Sequence, residues 1–103
     1  MIKSSGKQAV SALIFTDKCR LRGVYFTADI AKTPTITVED NITSAGTNIR
    51  VFGRACGGTE ANGGACNFQV KYSEEDNVLC DNGIYVTLSS ADQGDYIIDY
   101  EIL

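Results

Sequence analysis

The chain reads as an all-β protein, a single compact antiparallel β-sandwich of jelly-roll or immunoglobulin-like type with about seven or eight short strands. Three observations predict this. Apolar and β-branched residues alternate with polar ones at a period of two in several segments, most cleanly in residues 35–40, where Ile36 and Val38 face inward and Thr35, Thr37 and Glu39 outward. Turn-forming Gly, Asn, Ser and Asp residues recur at short intervals between those segments. No segment shows the 3.6-residue period of an amphipathic helix.

The elements follow in order. Residues 1–8 are polar and read as a flexible or partner-bound lead, with residues 9–103 forming the one domain. Lys3 and Lys7 precede a short apolar run, a pattern that superficially resembles a signal peptide. The run is at the lower limit of length, and residues 16–19 are no small-residue cleavage site, so a first strand over 9–16 is expected instead. Residues 19–28 are a second strand, with Gly23 marking a bulge or a close backbone approach. Pro34 sits at the entry to the strand over 35–40, where a missing N–H is tolerated. Residues 41–46 are turn chemistry and 47–53 a fourth strand carried by Ile49 and Val51. Residues 67–72 form a fifth, with Phe68, Val70 and Tyr72 on one side. After an acidic turn at 73–77 and a short strand at 78–80, residues 82–103 read as an antiparallel hairpin. Its arms are 84–89 and 96–102, and Gly94 in the turn is free to take positive φ.

Composition bounds the rest. At 103 residues and 44% hydrophobic, the chain supports one globular core. No apolar run approaches the ~20 residues of a membrane-spanning helix. The net charge of −4 argues against free nucleic acid as a partner, since phosphate contacts need clustered Lys and Arg. The charge is uneven: residues 1–54 hold eight basic and four acidic side chains, residues 55–103 one basic and nine acidic. Interleaving of the two halves in a sandwich removes the need for two surface patches, while the split also lets copies or partners meet through opposite charges.

Four cysteines, Cys19, Cys56, Cys66 and Cys80, allow three pairings. The absence of histidine and of any two-to-four-residue cysteine spacing argues against zinc, and the absence of C-x-x-C against a thioredoxin-like role. Cys56 and Cys66 bracket a loop with four glycines and no large apolar side chain. A Cys56–Cys66 bridge would restrain that loop by roughly 2–3 kcal/mol. Cys19 and Cys80 are then a second bridge or two buried thiols, and four reduced cysteines remain the alternative.

Catalytic chemistry is sparse. Without histidine the commonest general base and the usual triad partner are missing. The carboxylate pairs at Glu39/Asp40, Glu74/Glu75/Asp76 and Asp92/Asp95 read as strand or turn acids, and Asp92–Asp95 lacks the ligand count of a calcium loop. Asn41-Ile42-Thr43 matches the glycosylation triplet, and the glycine loop at 57–64 has no strand-to-helix context for binding phosphate. No enzyme activity, metal or cofactor is expected.

Two segments, RGVYFTAD followed by TPTITVEDN (residues 22–41) and NGIYVTLSSADQGDYIIDYE (residues 82–101), resemble small β-sandwich proteins of tailed-bacteriophage virions. The resemblance implies a capsid decoration (cement) protein or a related head or tail accessory. Its partner would be the major capsid protein of the same virion, reached after assembly in the host cytoplasm. A homo-oligomer, dimer or trimer, is implied, with no nucleic acid and no membrane. On that reading Lys3 and Lys7 anchor the lead to a neighbour. The loop at 55–66, with Gly57, Gly58, Glu60 and Asn62, is an outward or inter-subunit projection. Two other readings stand beside it. A carbohydrate- or receptor-binding module requires tyrosines such as Tyr72, Tyr85 or Tyr96 gathered on one exposed face, and lacks tryptophan as a stacking platform. A disulfide-stapled surface domain requires both bridges.

Overall fold

The computed structural model describes residues 2–58 and 65–103. Among these the chain is all-β, with nine strands: β1 (Ile2–Ser4), β2 (Ala12–Phe15), β3 (Cys19–Ala28), β4 (Thr35–Glu39), β5 (Ile49–Arg54), β6 (Phe68–Lys71), β7 (Leu79–Cys80), β8 (Ile84–Leu88) and β9 (Gly94–Ile102). They form two antiparallel sheets. The first runs β1-β9-β3-β6, with β7 also pairing β3; the second runs β2-β8-β4-β5.

The alternation seen in the sequence builds the core directly. Leu21, Val24, Phe26, Tyr96 and Ile98 face inward from the first sheet, and Ile36, Val38, Val51, Ile84, Val86 and Leu88 from the second. Each fully buried aliphatic or aromatic side chain contributes about 1.5–3 kcal/mol of apolar transfer. The sheets also close on one side through an aromatic–glycine contact. A Cβ on Gly53 of β5 would lie 2.5 Å from the ring of Phe68 on β6, so only glycine admits that ring.

Three expectations need correction. Residues 82–103 do not form a hairpin: β8 pairs β2 and β4, whereas β9 pairs β1 and β3 in the other sheet. The reason is burial. Both strands carry an apolar face, and crossing between layers lets each face the shared core from its own side. Gly94 takes no positive φ; Asp92 does (φ 59), while a Cβ on Gly94 would lie 2.3 Å from the Thr27 carbonyl oxygen of β3. Its small size serves a close approach rather than a turn.

The third correction concerns the N-terminal lead expected over residues 1–8: residues 2–8 run along β9 rather than standing clear. Ile2, Lys3 and Ser4 pair with Glu101, Tyr100 and Asp99. The Ser5 N–H donates to the Ile98 carbonyl at 2.8 Å, and Gln8 and Tyr96 exchange both backbone hydrogen bonds at 2.9 and 2.8 Å. Backbone pairing is blind to side-chain polarity, so a polar segment docks as readily as an apolar one when an edge is open. Gly6, at φ +68, makes the offset between the two paired stretches.

Gly23 behaves as its position implies. The register of β3 against β9 shifts between Leu21 and Gly23, leaving Arg22 as the extra residue of a bulge. The acidic turn is a short 3₁₀ segment, Glu74–Asp76, capped by Ser73 and Asp76.

Candidate functional site

Three local constellations hold the side chains with chemical potential. The first lies over the outer face of the first sheet. The offset at Gly6 lifts Lys7 off the strand, and its Nζ lies 3.5 Å from the Asp95 carboxylate. Beneath this pair is a cleft of about 210 Å³ lined by Lys7, Tyr25, Thr27, Asp95 and Ile97. The Tyr25 ring lies back over Gly23, where a Cβ would come within 2.8 Å of its hydroxyl oxygen. The cleft offers an aromatic and aliphatic floor with an ion pair at its rim. It is shaped for contact.

The second constellation is a pair of buried acids at the end of β4. Glu39 and Asp40 are each only 2% exposed. Glu39 was expected on the solvent face; the loop that follows β4 folds back and covers it. Its Oε2 accepts from Asn41 Nδ2 at 3.1 Å and from the backbone N–H groups of Ala45 and Gly46 at 3.1 and 3.2 Å. Asp40 faces the other way, as adjacent strand residues do. Its Oδ1 accepts from the Asn82 N–H at 2.7 Å and its Oδ2 from the Arg50 guanidinium at 3.2 Å. Both carboxylates are held by structural donors. Asn41 of the glycosylation triplet also spends its amide inward, on Glu39 and on the Thr47 carbonyl at 2.7 Å.

The third constellation is the cysteines. The fold brings together both pairs anticipated from the sequence, and no S–S bond joins either. Cys19 of β3 stands opposite Cys80 of β7, both fully buried. The Cys80 thiol donates to the Cys19 sulfur; this hydrogen bond, with burial, holds Cys80 far above the ordinary thiol range, and the same hydrogen bond, against the opposing effect of burial, holds Cys19 below its ordinary value. Cys56 and Cys66 form an isolated antiparallel bridge, exchanging backbone hydrogen bonds of 2.8 Å in both directions. This bridge sits where the chain leaves the second sheet after β5 and enters the first at β6.

Of the residues expected to meet a partner, Lys3 is exposed and Lys7 is exposed but engaged with Asp95. Gly57 has no free surface. It is buried against residues 29–32, donating to the Lys32 carbonyl at 2.8 Å and accepting from the Ala31 N–H at 3.0 Å. Gly58 is half-buried. Glu60 and Asn62 lie outside the described residues. The tyrosines named for sugar stacking do not gather. Tyr96 is core, its hydroxyl donating to the Val10 carbonyl at 2.8 Å and its phenol pushed up to about 12 by burial. Tyr72 packs on the core from behind β6, and Tyr85 belongs to the other sheet.

The uneven charge is answered inside the molecule. Lys7–Asp95, Lys18–Asp81, Arg20–Glu101 and Arg22–Glu101 all join the basic half of the chain to the acidic half. Strand interleaving in the first sheet makes this possible, since β1 and β3 flank β9. The buried acids and the Tyr25 cleft were missed by sequence reading. Tyr25 at two residues from a bulge glycine is the one signal that pointed toward the cleft.

No family model, no curated protein and no solved structure matches this chain.

Proposed function

We propose that the chain is a non-enzymatic structural protein of a tailed-phage virion, a capsid decoration protein that binds and stabilises the major capsid shell. The observation that carries this reading is the outermost strand of the second sheet. On β5 and the turn before it, Phe52 is 61% exposed, Ile49 50% and Ile42 53%. An edge strand with large exposed apolar side chains is a pairing surface unless something covers it. A shell subunit covers it once per copy, and repetition over the shell multiplies modest contacts into firm attachment. The segments that resemble virion sandwich proteins supply β3, β4, β8 and β9, the inner strands of both sheets. In this reading the protein resides on the virion surface as a homo-oligomer, a dimer or trimer.

Co-sedimentation of the purified chain with phage capsids tests it. Uptake in fixed ratio to the major subunit, lost in Phe52→Asp, is the expected result. A chain that stays in the supernatant at all concentrations overturns the reading.

A further inference from the structure

The two cysteine pairs are the same motif, two cysteines facing each other across antiparallel strands, in opposite surroundings. Cys19 and Cys80 have no accessible surface and belong to the hydrophobic core, with Cys19 of β3 also paired with Ile102 of β9. Cys66 is exposed and Cys56 half-exposed. Because Cys56 and Cys66 exchange both backbone hydrogen bonds, their Cα atoms stand about 5.5 Å apart, as in any such pair. That separation lies inside the Cα range that disulfides span, roughly 4.4–6.8 Å. The Cys66 thiol donates to Cys56, which holds Cys66 above the ordinary thiol range and leaves Cys56 the better placed of the two to attack first. Flanking geometry holds the pair still. Gly57 is locked to residues 29–32, and the Ala55 N–H donates to the Pro34 carbonyl.

We propose that Cys56 and Cys66 are a thiol–disulfide exchange site for small-molecule disulfides, closing to a cystine across residues 57–65 while Cys19 and Cys80 remain a sealed dithiol. In the first step one sulfur of the exposed pair, as thiolate, attacks a small disulfide R–S–S–R. A mixed disulfide forms and one R–S⁻ leaves. The second cysteine then gives up its proton, attacks the mixed disulfide at the protein sulfur and expels the second R–S⁻. The protein dithiol loses two electrons and two protons, and one R–S–S–R becomes two R–SH. Juxtaposition makes the second step intramolecular, so the mixed disulfide is short-lived. The buried pair has the same juxtaposition but no path for the attacking disulfide, and reacts only after the core opens. The site stands independently of any virion partner.

The test treats the reduced, native full-length chain with oxidised glutathione, then alkylates it and maps the cysteines by mass. The expected product has lost two hydrogens, carries one bridge between Cys56 and Cys66, and shows alkylated Cys19 and Cys80 only after denaturation. Closure of the exposed pair is expected to outpace any reaction at Cys19 or Cys80 by at least ~10-fold. Cys66→Ser is expected to stop at a stable glutathione adduct on Cys56. Persistent adducts on the wild-type pair without a bridge, equal reactivity of the two pairs, or an unreactive Cys66→Ser chain would each overturn the proposal.

Discussion

Two loops flank β5, and they solve one problem with different chemistry. The loop over 40–48 leads into β5 and the segment over 56–66 leads out of it; both are rich in small polar residues that cannot pack by themselves. The first is held by acids. Glu39 gathers three N–H donors from its own loop, and Asp40 ties the loop base to Asn82 and Arg50. The second is held at its stem by a two-bond backbone bridge, two facing thiols and the burial of Gly57. Carboxylate support does not depend on redox state, because the acceptor oxygens sit among fixed donors. Thiol support is conditional, weak as a dithiol and strong as a cystine. The difference teaches that a loop built mostly of small polar residues is held only as durably as the bonds at its base.

The comparison breaks most severely at Gly57. A Cβ there would lie 1.7 Å from the Asp29 carbonyl oxygen, so Gly57→Ala must push two backbone segments apart. A loss of about 3 kcal/mol in urea unfolding is expected. Oxidation of the Cys56–Cys66 pair sharpens the contrast: the bridged chain should gain roughly 2–3 kcal/mol over the reduced one, a gain absent in Cys56→Ser/Cys66→Ser. On the acid side, Asp40→Ala leaves the Asn82 N–H and Arg50 without their acceptor and should cost about 2 kcal/mol in either redox state. Independence from added reductant is what distinguishes it from the cysteine loop.

Tyr96, outside both loops, provides the smallest effect. Tyr96→Phe removes the hydrogen bond to Val10 and should cost about 1 kcal/mol at neutral pH. Its folded pKa of about 12 lies above the ordinary phenol value. The stability conferred by the neutral phenol is therefore complete below about pH 10 and fades as pH rises toward 12. Titrating unfolding across that interval should show a decline in the wild type that is smaller in Tyr96→Phe.

Much of the fold was legible along the chain, and the candidate sites much less so. The limits of β3 and the inward residues of β4, β8 and β9 follow from alternation, because a strand with one face in the core repeats its apolar residues every second position. The bulge at Gly23 was also anticipated; the fold sets Cys56 opposite Cys66 and Cys19 opposite Cys80, but without the bridge expected at Cys56–Cys66. Glu39 shows where that reading stops. Its alternation places it on the outer face, and only the returning loop, with two N–H groups aimed at its carboxylate, makes that face interior. Lys7 likewise reads as an anchor to a neighbour in a polar lead, and becomes the rim of a cleft only because residues 2–8 lie along β9.

Residue pattern by itself therefore determined the all-β class, which residues face the core, and where most strands begin and end. These are consequences of local backbone geometry and of burial averaged over neighbours. Tertiary structure alone decided that β8 and β9 part into different sheets, that the polar N-terminal residues complete the first sheet, and that one cysteine pair is sealed while the other meets solvent. Pairing partners and access depend on what else competes for the same edge or covers the same face, and that competition is between residues far apart in the chain.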